Sequence, residues 1–376
     1  MVTKTPKMTD PKMTDPKITE KPNPALPSGY SGQQLVDLYK GMALIRAFDE
    51  RQLKLQRSGR IGFCVVSTGE EAVQVGVAAA LEKQDWIFPT YRQHGMILQR
   101  GVSVTDMANQ LYGNANDRCL GRQMPVHYSF KEINYVSLSS VIGTHLSHAV
   151  GAAMAAQYKG DDAVMVTFIG DGGTSSNDFH AALTFAGVQK APVVFYIVNN
   201  HYAISHPVEE QCAAESLHLK GVGYGIPSIK IDGNDLLAVH QATQEALNRA
   251  RAGEGPTLIE CDTYRMGPHS SSDDPTRYRD AAEQEAANKA CPIGRFEKQL
   301  ESWGLWDDTQ DKALWTELEQ TMVDDTNLSE NVGEPTWESL FDDVYAEVPP
   351  ALARQRDEFM ARESQFPREN EGEFPL

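Results

Sequence analysis

Four apolar runs recur through the middle of the chain, rich in β-branched and aromatic residues: 163–169 (AVMVTFI), 193–198 (VVFYIV), 228–231 and 256–261. Runs this short and this continuous read as strands buried on both faces. Between them, 177–190 and 235–253 show helical apolar spacing, the second with a cap at Asn234 or Asp235. Upstream, Leu35, Leu38, Met42, Ile45 and Phe48 mark a helix over 31–53, and 70–81 and the small-residue-rich 144–158 read as two more. The segment 86–91 (WIFPTY) is strand-like. Strands alternating with helices predict an α/β fold, a parallel sheet with helices on both faces. Beyond about residue 290 the pattern is helical with acidic turns and four tryptophans, Trp303, Trp306, Trp315 and Trp337. The expected division is a disordered tail over 1–28, an α/β body over 29–290, and an acidic helical C-terminal region over 291–376 packed on the body or on a partner.

Charge changes this picture in one respect. The 376 residues hold 34 Lys+Arg and 52 Asp+Glu, a net charge of −18, which excludes a domain-scale basic surface for nucleic acid and disfavours an anionic membrane. The acidity is not uniform: residues 301–376 carry 20 acidic and 5 basic residues, so this stretch is expected to face solvent or another subunit. Residues 1–28 carry five lysines and three acids, repeat MTDPK twice, and are too polar to offset their ordering entropy. They have no apolar core of a secretory signal, and the first arginine is Arg46, so neither a signal nor a transit peptide is expected and the chain reads as bacterial-type and cytoplasmic. Five widely spaced cysteines without a CxxC pair argue against a disulfide scaffold or a zinc ribbon.

Candidate chemistry gathers where the first strong strand ends, in Gly170-Asp171-Gly172-Gly173-Thr174. Glycines at the carboxyl end of a parallel strand let a phosphate approach the backbone near the next helix. A Walker loop is excluded because no lysine follows, and a dinucleotide fingerprint because Ser175 occupies its last glycine position. A carboxylate, Asp171, stands where a phosphate is expected, and two anions sit together only across a divalent cation. Asn200 closes the following strand, on the same sheet edge. Carboxylate, amide oxygen, backbone carbonyl and phosphate oxygens make a suitable Mg²⁺ shell.

GDG followed about thirty residues later by NN resembles the thiamine diphosphate-binding motif. The wider sequence, from about 29 to 350, is similar to the alpha subunit of the decarboxylating component of 2-oxo acid dehydrogenase complexes. Three segments, 121–128 (GRQMPVHY), 199–205 (NNHYAIS) and 264–274 (YRMGPHSSSDD), look most like the branched-chain type. The resemblance implies a thiamine diphosphate-binding fold. It implies that Asp171 and Asn200 hold Mg²⁺ together with the Tyr202 carbonyl, and that Gly170, Gly172 and Gly173 face the diphosphate. Arg92 of the Tyr91-Arg92 pair would contact the diphosphate, while Ser140 and Ile142 would lie beside the aminopyrimidine. His269 would be the catalytic histidine, and Ser270 matches a residue phosphorylated in mammalian relatives. Two positions depart from those relatives: Val198 replaces an arginine before NN, and Thr90 a glutamine before Tyr-Arg.

No residue here matches the glutamate that meets the cofactor's pyrimidine ring, which in that family comes from the beta subunit. The resemblance therefore implies an α₂β₂ heterotetramer, oxidative decarboxylation of a 2-oxo acid, and transfer of the acyl group to the lipoyl group of a dihydrolipoyl acyltransferase. A pyruvate or acetoin dehydrogenase alpha subunit, or a non-catalytic subunit of the same fold, are the alternatives. His145 and His148, three apart on one helix, are expected to pack or line a pocket; His127 is left open.

Overall fold

Side-chain alternation on the sheet builds the two faces of the molecule. In this computed structural model, which describes residues 24–342 and 344–366, the chain opens with α1 (Gly32–Arg57), α2 (Glu71–Ala80), β1 (Trp86–Phe88), α3 (Gly95–Gln99) and α4 (Val104–Tyr112). The central part follows as α5 (Thr144–Lys159), β2 (Met165–Gly170), α6 (Asn177–Gln189), β3 (Val193–Asn199), the short strands β4 (Tyr202–Ala203) and β5 (His206–Pro207), and α7 (Leu219–Val222). The remainder comprises β6 (Ser228–Asp232), α8 (Leu236–Arg251), β7 (Thr257–Asp262), α9 (Ala281–Lys289), α10 (Pro292–Ser302), α11 (Asp308–Glu330) and α12 (Pro350–Gln365). Most of the tail expected over 1–28, residues 1–23, lies outside the described residues.

The main sheet has five parallel strands in the order β1-β2-β3-β7-β6, as the αβ rhythm predicts. Val164, Val166 and Phe168 of the second strand segment point into a core shared with α1, α2 and α8, together with Val194, Tyr196, Ile259 and Cys261. Met165, Ile169, Val193, Phe195 and Ile197 point the other way, onto α5 and α6. Both faces are covered, which is why these strands are near-continuous apolar runs, interrupted by buried polar residues such as Thr167 and Glu260. The edge strand β6 is half exposed. Its apolar run was the shortest of the four.

Helices α10 and α11 do not form a separate layer. Ile293, Phe296, Leu300, Trp306, Leu314, Leu318 and Met322 belong to the same cluster as Leu35, Met42 and Phe48 of α1. Helices α9 and α12, by contrast, carry no buried residue. All five cysteines are free, and among the described residues no helix is long and apolar enough to cross a membrane.

Phe296 is 2% exposed, so Phe296→Ala should cost about 3–5 kcal/mol. Urea unfolding is expected to show one cooperative transition at lower midpoint. Two separate transitions, or an unchanged midpoint, would contradict a shared core.

Candidate active site

Strands β2 and β3 run parallel in register, pairing Gly170 with Val198, so the residues just past their carboxyl ends meet on one sheet edge. A cavity of about 560 Å³ opens there, within the range of small-molecule sites. Asp171, on its floor, is 2% exposed. Desolvation raises its carboxyl above the usual aspartate range, opposed first by a hydrogen bond from the Gln211 Nε2 amide at 2.9 Å. Asn200, 7% exposed, donates from Nδ2 to Glu70 Oε1 at 2.7 Å. The Tyr202 carbonyl accepts from Arg265 Nη1 at 2.8 Å, which leaves its second lone pair. A Cβ on Gly172 would lie 2.5 Å from Ala203 Cβ, and one on Gly173 2.4 Å from Ile169 Cδ1, whereas one on Gly170 would meet nothing within 4 Å. The turn is packed hard from behind and open at its first glycine.

Two buried arginines supply the positive charge. Arg92 donates to the Val66 carbonyl and, at 3.0 Å, to the His269 carbonyl; its Nε stands 3.7 Å from Glu70. Arg265, 1% exposed, also donates to the Ile204 carbonyl at 2.6 Å and to the Tyr278 hydroxyl at 3.0 Å. Tyr278 then donates to Asp273 Oδ2 at 2.6 Å, and the same oxygen accepts the His269 N–H at 2.7 Å. The loop carrying His269 and Ser270 is thus tied at both ends to the segment after β3. Burial, with Arg92 and Arg265 close by, lowers the His269 ring to about 4. Arg92 Nη2 lies 3.4 Å from its Nδ1. An arginine can only donate, so Nδ1 is the acceptor and the ring proton sits on Nε2.

The cavity wall includes every residue that the resemblance assigns to cofactor, cation or catalysis: Tyr91, Arg92, Ser140, Ile142, Gly170, Asp171, Gly172, Gly173, Asn200, Tyr202 and His269. Segments from five places in the chain converge on it. His127 lies there too, its Nε2 2.6 Å from Ser140 Oγ. His145 lines the wall while bonding the Phe168 carbonyl at 2.6 Å, and His148 is exposed. No group of three or more His, Cys, Asp or Glu suited to a metal occurs among the described residues, so any cation here takes a mixed oxygen set.

Three polar residues of the site escape sequence reading: Glu70, Gln211 and Arg265. Val198, standing where an arginine was expected from the resemblance, is buried in the wall, and Arg265 brings a second guanidinium to the cavity beside Arg92. The carboxyl of Glu70 is pushed up to about 7 by burial, against the pull of Arg92 and the Asn200 bond.

Comparison with known proteins agrees with this geometry. Residues 39–338 match the family described as dehydrogenase E1 component. The chain belongs to that family. The 2-oxoisovalerate dehydrogenase subunit alpha 2, mitochondrial, of Arabidopsis thaliana is 42% identical over 349 residues, 92% of this chain and 74% of that protein. The mitochondrial alpha subunits of Caenorhabditis elegans and Homo sapiens are 42% and 40% identical, over 90% and 89% of this chain and 78% and 76% of theirs. This dehydrogenase E1 component therefore resembles branched-chain alpha subunits, as the three segments predict. The relatives correct one expectation. A bacterial-type cytoplasmic chain was inferred from the acids and missing arginines of residues 1–28, yet these relatives are mitochondrial subunits. The composition of that stretch does not decide the compartment.

His269 gives a direct electrostatic test. A base held below its ordinary value of 6.5 contributes its full share of stability above about pH 6.5 and loses it as the pH falls toward 4. In an NMR titration the His269 ring should remain neutral down to about pH 5; protonation near 6.5 would contradict the arrangement.

Proposed function

We propose that the chain is the alpha subunit of a branched-chain 2-oxo acid dehydrogenase, catalysing thiamine diphosphate-dependent oxidative decarboxylation with acyl transfer to the lipoyl group of a dihydrolipoyl acyltransferase. The observation that carries this reading is the meeting of Asp171 and Asn200 at adjacent strand ends, beside Arg92 and His269, in a family-matched chain. The unit that holds the site is the α/β body of residues 29–290, with α10 and α11 of the following helical region packed on it.

The residues fit the cofactor. A buried carboxylate whose side-chain partner is a neutral amide favours a cation beside it. Asp171, Asn200 and the Tyr202 carbonyl would hold Mg²⁺. The open edge at Gly170, the packed Gly172 and Gly173, and the Arg92 guanidinium would receive the diphosphate. Tyr91, whose ring packs edge-on to His269 at 5.8 Å, fixes the wall near the reacting end, and Ser140 and Ile142 line the aminopyrimidine side. When bound, thiamine diphosphate supplies the electron sink for decarboxylation. His269, neutral with its proton on Nε2, is placed to donate a hydrogen bond from Nε2 to a substrate oxygen and to orient the incoming lipoyl group.

The chain is incomplete on this reading. Its cavity does hold a glutamate, but Glu70 is spent on Asn200 and Arg92 at the cation end. The acid that serves the pyrimidine ring would come from a beta subunit in an α₂β₂ assembly. Exposed apolar residues at the cavity mouth, Val141 at 65% and Ile142 at 47%, support a covering partner.

Steady-state kinetics of the chain reconstituted with its beta subunit test this. With Mg²⁺ and thiamine diphosphate, kcat/KM for 3-methyl-2-oxobutanoate should exceed that for pyruvate by about tenfold or more, since each pocket-filling methylene is worth roughly 10–200-fold. No turnover, or a preference for pyruvate, would contradict it.

A further inference from the structure

We infer that Glu70 is a positioning residue of the cation site, whose carboxylate decides which end of the Asn200 amide faces the cavity. This rests on the reading that Asp171 and Asn200 hold a divalent cation.

An asparagine amide has two ends of nearly equal size, and only its oxygen can ligate a cation. Sterics alone do not choose between them. Glu70 does: its Oε1 lies 2.7 Å from Asn200 Nδ2. The flipped amide would set a second acceptor against a carboxylate that is 1% exposed, and would remove its hydrogen bond, leaving it the more distant Arg92 Nε at 3.7 Å. The correct orientation leaves Asn200 Oδ1 with a long 3.4 Å bond from the Tyr202 N–H, so a lone pair remains for the cavity.

The backbone holds Glu70 in place. Gly69 has φ +101°, and a Cβ there would stand 2.1 Å from the Tyr264 carbonyl oxygen. Its own carbonyl accepts the Thr263 hydroxyl at 2.7 Å, and Met266 N–H donates to the Thr68 carbonyl at 2.9 Å. Glu71 adds to the clamp, taking Arg46 Nε at 2.6 Å and the Gly69 N–H at 2.9 Å. The carboxylate therefore cannot withdraw from Asn200 without dragging this segment.

A complementary device serves the other ligand. Gln211 Nε2 donates to Asp171 Oδ2 at 2.9 Å and to the His206 carbonyl at 2.8 Å, which steadies the carboxylate through one oxygen and frees the other. A donor stands beside the carboxylate and an acceptor beside the amide, so each ligand is turned to present oxygen. Outer partners of metal ligands typically carry 10–100-fold in affinity.

The test uses the full chain assembled with its beta subunit. Mg²⁺-dependent thiamine diphosphate binding is followed by calorimetry, and Mn²⁺ binding by electron paramagnetic resonance. Glu70→Gln keeps an acceptor but adds an N–H that also fits the flipped amide, so it should weaken cation binding less than Glu70→Met does. Glu70→Met removes the acceptor and should weaken cation binding about 10–100-fold, with the apo melting midpoint measured alongside. If Glu70→Met does not assemble, Asn200→Asp and the double variant Asn200→Asp/Glu70→Gln decide: the double should recover affinity, because an amide again faces a carboxylate. Equal behaviour of Glu70→Gln and Glu70→Met, or no recovery in the double variant, overturns the inference. Asp171→Ala separates the two levels. If it abolishes cation binding while Glu70→Met leaves it intact, only the positioning role falls; if it changes nothing, the cation site itself falls and the positioning role with it.

Discussion

A carboxylate buried at the end of a central strand is the constraint on which the rest of the site depends. Removing Asp171 from water costs several kcal/mol unless charge or hydrogen bonds replace the lost hydration. Against this the protein sets a neutral amide from Gln211, a backbone hydrogen bond and the charges of Arg265 and His201, and desolvation still outweighs them. On the proposed reading, a divalent cation would offset this cost. The whole-chain charge is no guide to the site, because most of the excess acid lies beyond residue 300 in the sequence.

The surroundings make that constraint rigid. A fully buried Asp49 takes the Ser67 N–H at 2.7 Å, both the Ser67 and Thr68 hydroxyls, and His94 Nε2 at 2.8 Å. This fixes the segment that leads into Gly69 and Glu70. Across the cavity, Arg265 ties the β4 backbone to the loop bearing His269 through Tyr278 and Asp273. The segments before α2 and after β7 also bond to each other directly. Asp171, Asn200, the two arginines and His269 are thus held by hydrogen bonds largely out of solvent, where each is worth more than in water.

Much of this was legible in the chain. The strands β2, β3 and β7 were plain because burial on both faces makes them near-continuous apolar runs with few polar positions. The glycine turn and Asn200 were found because strand order puts both on one edge, and the family resemblance extended that to Arg92 and His269. What escaped shares a physical cause. Glu70 precedes a helix as any polar residue could, and no periodicity marks a glutamate as buried. Arg265 reads as a loop cation until Tyr202, Ile204 and Tyr278 close around it. Gln211 reaches Asp171 only after the β4–β5 hairpin folds back. Helices α10 and α11 were recognised, but their union with α1 in one core needs contacts more than 200 residues apart. The compartment was misjudged because tail composition is a weak constraint.

The central claim is that the strand-end pocket binds a diphosphate only across a divalent cation. Calorimetric titration of the assembled protein with thiamine diphosphate, in Mg²⁺ and then in excess chelator, tests it most directly. The account predicts saturable binding with Mg²⁺ and its loss in chelator, with thiamine itself binding weakly in both. Equal affinity for thiamine diphosphate with and without the cation would contradict it.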